Sequence, residues 1–123
     1  MTFDERFDFL YTTYGKPADF SGIKDDLAAE ITLTDAVGGG KFYIEHKAGQ
    51  TRIEPYDYRD ATVRIRLPYD LLVEILEDKK SAVAEFMASN VDAEGEPAHA
   101  LALIGALRAG RLNKEGRRKK TAK

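Results

Sequence analysis

An α+β fold in two layers, with a five-stranded, mostly antiparallel sheet covered on one face by four to five helices, is the architecture this sequence predicts. Three observations predict it. Segments of alternating polarity recur five times along the chain, most of them separated by tight-turn residues. Each has one apolar face, and the helical stretches between and around them are free to cover it. Finally, Asp60 to Leu76, DATVRIRLPYDLLVEIL, passes from period two to helical period within one segment, so a strand delivers a helix onto its own apolar face.

The chain opens with a helix over Thr2 to Tyr14. Phe3, Phe7, Leu10, Tyr11 and Tyr14 recur at helical spacing, Thr2 and Glu5 form a capping box, and Gly15 is a stop. This aromatic stripe is expected to dock on the core. Lys16 to Asp26 reads as a loop. Leu27 to Thr34 alternates Leu27, Ala29, Ile31 and Leu33 against Ala28, Glu30, Thr32 and Thr34, a strand with one wet face. Gly38, Gly39 and Gly40 follow. No Gly-Lys-Ser/Thr ending and no helix succeeds them, so they read as a hairpin connection and not as a phosphate cradle. Lys41 to Lys47 places Phe42, Ile44 and His46 on one face, and Thr51 to Tyr56 supplies a third strand that Pro55 ends or confines to an edge.

Within Asp60 to Leu76, Ala61, Val63, Ile65 and Leu67 share one parity before Pro68 stops the strand, at a position suited to the first turn of a helix. From Tyr69 to Asp78, Leu71, Leu72, Ile75 and Leu76 form one helical stripe. Ser81 is a suitable N-cap for a short helix over Ala82 to Ser89, whose stripe is Val83, Phe86 and Met87. Val91 to Gly95 returns to period two as a fifth strand. Pro97 opens the last helix, where Ala100, Leu101, Leu103, Ile104 and Leu107 are apolar around more than half the circumference, predicting a well-buried element that ends at Gly110.

At 123 residues the chain is one domain by length, assigned to residues 1–107, with a flexible basic tail over 108–123. The absence of cysteine removes thiol catalysis, thiolate metal ligands and redox sensing, and fits a reducing, cytoplasmic setting. No run approaches the roughly 20 apolar residues of a membrane span, and Met1 to Phe9 is charged and unlike a signal peptide. The net charge of −2 hides an asymmetry: residues 108–123 hold eight Lys or Arg against one Glu, leaving an acidic body. That body is expected to repel nucleic acid. The tail reads either as a solubilising end or as a transient contact to anionic membrane through Arg108, Arg111, Lys114, Arg117, Arg118, Lys119, Lys120 and Lys123.

The inventory for catalysis is thin. His46 and His99 lack a Ser or Asp at recognisable spacing, the carboxylates are scattered on wet faces, and Glu94 and Glu96 around Gly95 lack the spacing of a calcium loop. No catalytic residue, metal site or cofactor is expected.

From Leu27 to Leu107 the sequence resembles the sterol carrier protein 2 family. The matching pieces are the strand ending near Asp35, the glycine run before Lys41-Phe42-Tyr43-Ile44, Gly49, and Asp60-Ala61-Thr62-Val63-Arg64-Ile65. They continue through the helix Leu71 to Leu76, Ala84-Glu85-Phe86-Met87-Ala88-Ser89, the strand Val91 to Gly95 and the helix through Leu101 to Leu107. The resemblance implies an apolar cavity between sheet and helices that accepts a fatty acyl, sterol or prenyl lipid without catalysis. Its expected walls are Phe42, Ile44, Ile53, Val63, Ile65, Leu72, Ile75, Leu76, Phe86, Met87 and Ile104, with Met87 an adaptable one. Phe42 stands where the family often has tryptophan, and His46 where an apolar residue is usual. Asp92, Glu94 and Glu96 replace a usually basic strand, which argues against docking a membrane through that edge. The same apolar stripes would also serve a closed core, giving an interaction or accessory module without a lipid.

Overall fold

The computed structural model describes residues 1–121, and side chains as far as Leu112. Five alternating segments become β1 (Leu27–Leu33), β2 (Gly40–Lys47), β3 (Gln50–Glu54), β4 (Val63–Leu67) and β5 (Asp92–Gly95). They form one sheet in the order β3-β2-β1-β4-β5. Only the β1/β4 pair is parallel, with Ile31 opposite Ile65 and Leu33 opposite Leu67. The other three pairs are antiparallel, placing Ile31 beside Phe42, Ile44 beside Ile53, and Ile65 beside Ala93. Because side chains alternate across a strand, these registers gather the apolar parity of all five strands on one face.

The opposite face of β1 is drier than expected. Ala28 and Glu30 are buried there, as is Tyr43 on β2. The cause is topological: β3 lies beyond β2, so the chain must cross β2 and β1 to reach β4. It crosses on the outer face, where the Tyr58 amide donates to Glu30 Oε2 at 2.8 Å and the Tyr58 hydroxyl donates to Glu45. Arg64 Nε at 3.5 Å and Lys41 Nζ at 3.8 Å flank the Glu30 carboxylate, offsetting the cost of removing it from water.

Four α-helices lie in the described residues: α1 (Phe3–Leu10), α2 (Tyr69–Leu76), α3 (Ala82–Met87) and α4 (Pro97–Thr121). The Thr2/Glu5 capping box forms, with both reciprocal hydrogen bonds in place. Beyond Leu10 the helix widens into a π-helical turn, Tyr11–Gly15, before it stops. The widened turn carries Tyr14 into the core, where it is 1% exposed. Phe7 meets Phe42 edge-on at 5.6 Å. This end of the inner face is filled by aromatic side chains.

Three expectations change at the helices. Pro68 is the N-cap of α2, just outside the first turn. Gly110 does not end α4, which continues to Thr121. Glycine is needed at 110 for approach: a Cβ there would sit 2.0 Å from the Pro17 carbonyl oxygen. Nor is α4 buried over more than half its girth, since Leu103, Ala106 and Leu107 face the core while Leu101 is half exposed.

Candidate functional site: an apolar cleft between sheet and helices

On the β4/β5 side, the helical layer stands off the sheet and leaves a cleft of about 350 Å³. Its floor is Ile31, Val63, Ile65 and Leu67 on β1 and β4. Leu72 and Ile75 of α2 form one wall. Leu103, Ile104 and Leu107 of α4 form another, and Val83, Phe86 and Met87 of α3 lie across the opening. Val63, Ile75 and Leu103 are each 1% exposed. By contrast Val83 is 54%, Phe86 49%, Met87 76% and Leu101 50% exposed, so the cleft opens between α3 and the start of α4.

Polar contacts outside the cleft hold its walls. Pro68 supplies no capping side chain, and Asp35 accepts instead from the Tyr69 amide at 2.9 Å. Arg6 then approaches Asp35 at 3.4 Å and lies over the Tyr69 ring, 4.7 Å from its centroid. At the other end of α2, Arg108 donates to the Ile75 carbonyl, and Glu77 accepts from Tyr14 Oη at 2.9 Å while pairing with Arg111 at 3.0 Å. Burial, and then the bond to Glu77, hold the Tyr14 hydroxyl far above its ordinary pKa, so it remains a donor. The α3 helix is held less firmly. Ser81 caps it and Asn90 bonds to Glu85, but none of its residues is buried.

Seven of the eleven expected wall residues line this cleft: Val63, Ile65, Leu72, Ile75, Phe86, Met87 and Ile104. Phe42, Ile44, Ile53 and Leu76 lie elsewhere, around a void of about 20 Å³ beneath α1 together with Phe7 and Tyr14. Leu72 reaches both spaces. The aromatic payload of α1 occupies the interlayer space over β2 and β3, and the space over β4 and β5 stays open. Val83, Val91, Ala93, Ala100, Leu101 and Leu103 also line the cleft without having been singled out as walls. Their signal lay in the same apolar stripes, in which a core position and a wall position look alike.

The histidines lie apart from the cleft. His46 is buried, hydrogen-bonded through Nδ1 to Thr51 at 2.9 Å and stacked on Phe20 at 5.1 Å. His99 Nδ1 is 2.8 Å from Thr62 Oγ1, which also bonds to the Ala28 backbone. Among the described residues, no group of three or more His, Cys, Asp or Glu is placed to hold a metal ion. Nor is any described helix long and apolar enough to cross a membrane. In the basic segment, Arg108 and Arg111 are engaged with α2 and the residues following it. The side chains of Lys114, Arg117, Arg118, Lys119, Lys120 and Lys123 fall outside the described residues.

A mostly antiparallel sheet with helices across one face and an apolar cleft between them defines a small, single-sheet α+β class. Within that class, the chain belongs to the SCP-2 sterol transfer family, whose model matches residues 22–108. Among solved structures it is similar to sterol carrier protein 2 from Yarrowia lipolytica in its apo form: 19% identity, TM-score 0.60, covering 89% of this chain and 88% of that one. It is similar also to sterol carrier protein 2 from Aedes aegypti in complex with the C16 fatty acid palmitate, at 14% identity and TM-score 0.61, covering 83% of this chain and 96% of that one. The stereoselective inverting sec-alkylsulfatase Pisa1 from Pseudomonas sp. shares 18% identity at TM-score 0.62 over 87% of this chain, which spans only 16% of that enzyme. At these identities the likeness is one of fold. No curated protein sequence matches the chain.

Proposed function

We propose that this protein binds an apolar lipid, of fatty acyl, sterol or prenyl type, in the cleft between sheet and helices and carries it without chemical change. The observation that carries the reading is the cleft itself. Val63 and Ile65 on β4 and Leu72 and Ile75 on α2 line one open space of about 350 Å³, within the range of small-molecule sites. A closed-core module would fill that space, since protein interiors tolerate few voids larger than a water molecule. Family membership and the palmitate complex of the Aedes aegypti protein support the same ligand class. Burial of the ligand at about 25 cal/mol per Å² of apolar surface supplies the driving force.

The proposed setting is a reducing cytoplasm, in keeping with a chain that has no cysteine. The proposed delivery step is a transient contact of the basic C-terminal segment with anionic membrane, supported by the charge contrast between that segment and the acidic body. Vesicle binding that persists in high salt, or after removal of residues 112–123, contradicts the delivery step alone.

Carriage is tested by lipid mass spectrometry of the purified protein together with titration of a fluorescent fatty acid. Copurified lipid and saturable binding at one site are expected. A protein that comes free of lipid and does not titrate contradicts the proposal.

A further inference from the structure

We infer that β3 is a self-association edge, along which two copies of the protein pair antiparallel about a two-fold axis at Ile53 and join their five-stranded sheets into one. β3 and β5 are the outer strands of the sheet. An outer strand presents a row of unpaired N–H and C=O groups, and its side chains decide whether another strand can use them. Counted from the two-residue turn at Ala48 and Gly49, with φ of 52° and 78°, Gln50, Arg52 and Glu54 direct their backbone groups to β2, while those of Thr51 and Ile53 point away from the sheet. Among the described residues, none of the backbone hydrogen bonds made by turns and loops reaches Thr51 or Ile53. The edge is also accessible, since Thr51 and Arg52 are exposed and Ile53 is only half-buried.

Charge selects both the partner and the register. On the outer face of β3, Arg52 and Glu54 carry opposite signs two residues apart, with side chains 67% and 39% exposed. A second β3 aligns with outward-bonding residues opposite outward-bonding residues, so Thr51 and Ile53 of one copy face the same set in the other. Centred on Arg52 or on Glu54, the two-fold axis sets like charges face to face. Centred on Ile53, it sets each Arg52 opposite the Glu54 of the other copy, in the non-hydrogen-bonded pairs where side chains come closest, and the two Ile53 residues exchange N–H···O=C bonds. On the apolar face the two Ile53 side chains then meet, flanked by Tyr11, which is 39% exposed. The other outer strand lacks this complementarity. Asp92 and Glu94 of β5 are both acidic and already held by Arg66, so self-pairing there brings acid toward acid. The cleft lies on the β4/β5 side, and pairing through β3 leaves it free.

At Pro55 the chain turns, the Tyr56 amide donating to the Glu54 carbonyl at 2.9 Å, so the seam is short. A dissociation constant on the order of 100 μM is expected for so small an interface. Sedimentation velocity of the full chain between about 10 μM and about 1 mM spans that constant. The wild type is expected to pass from monomer to dimer across the range. Arg52→Glu and Glu54→Arg each set like charges against one another at the seam, and each alone is expected to stay monomeric. An equimolar mixture of the two variants is expected to dimerise, because the introduced glutamate then faces the introduced arginine and the native Glu54 faces the native Arg52. That restored pairing also shows that both variants are folded. Independently of any variant, hydrogen exchange at the Ile53 amide of the wild type should be about fourfold slower at the upper concentration than at the lower, as that amide becomes bonded across the axis. A wild type that stays monomeric throughout overturns the inference. So does a dimer indifferent to both substitutions, a mixture of the variants that does not pair, or an Ile53 amide whose exchange is independent of concentration.

Discussion

Arg108 of α4 donates from Nε, at 2.9 Å, and from Nη2 to the same carbonyl oxygen, that of Ile75 in the last turn of α2. One side chain thus ties together two walls of the cleft, adding charged donors to a carbonyl at the helix end that also accepts from the Asp78 amide at 3.1 Å. The accompanying ion pair with Asp78 adds little, because that carboxylate is largely in solvent. Arg108→Met is expected to cost about 1.5–3 kcal/mol, the range for hydrogen bonds to a charged group. Arg108→Lys should recover only part, since a single ammonium cannot reproduce the two-pronged guanidinium contact. Urea denaturation of the three proteins checks this; a change below 0.5 kcal/mol in Arg108→Met, roughly the scatter of ordinary surface substitutions, would remove the clamp from the account.

Two glycines in α4 should respond oppositely to alanine. At Gly110 the new methyl meets Pro17 backbone at 2.0 and 2.4 Å, atoms that cannot rotate aside, so Gly110→Ala is expected to destabilise by about 1–3 kcal/mol. At Gly105 nothing lies within 4 Å, and Gly105→Ala is expected to stabilise by about 0.5–1 kcal/mol through helix propensity alone. Thermal melts of the pair distinguish a close approach from a helix end. Equal responses would mean that α4 does not pass the Pro17 loop this closely.

The alkaline limb of stability should depend on Tyr58. Its hydrogen bond to Glu45, reinforced by burial, raises its pKa from 10.0 to about 12. The unfolded chain releases this proton at lower pH than the folded one, so the contribution is complete below pH 10 and is lost as pH rises from about 10 to 12. Tyr14 is also raised, by burial and Glu77, and steepens the same limb. Melting temperatures recorded between pH 9 and 12 should fall less for Tyr58→Phe than for the wild type. Parallel curves would show that the Tyr58 hydroxyl is not held by Glu45.

Most of the architecture was legible because it rests on periodicity. The strand alternation at Leu27 to Leu33, the Thr2/Glu5 box and the change of period at Pro68 are local signals, and each appears in the fold. What escaped depends on partners distant in sequence. Glu30 reads as a wet residue until the connection through Tyr58 is laid over it, and that path follows from strand order. Gly110 reads as a helix stop because nothing local reveals Pro17 beside it. Within the candidate site, Phe42 and Val63 carry the same apolar parity. Only the position of Phe7 shows that the space above Phe42 is filled, whereas the space above Val63 remains open.

Filling the cleft from within is the most direct measurement. Ala100 lines the cleft, while Ala98, two residues earlier on α4, is exposed and does not. With no native tryptophan in the chain, Ala100→Trp and Ala98→Trp each introduce a single indole whose emission also reports folding. Calorimetric titration with dodecanoate is expected to give one-site binding for the wild type and for Ala98→Trp, and at least about tenfold weaker binding for folded Ala100→Trp, as an occupied cavity demands. Equal affinity in all three proteins, or no binding by the wild type, would contradict a lipid chain held between this sheet and its helices.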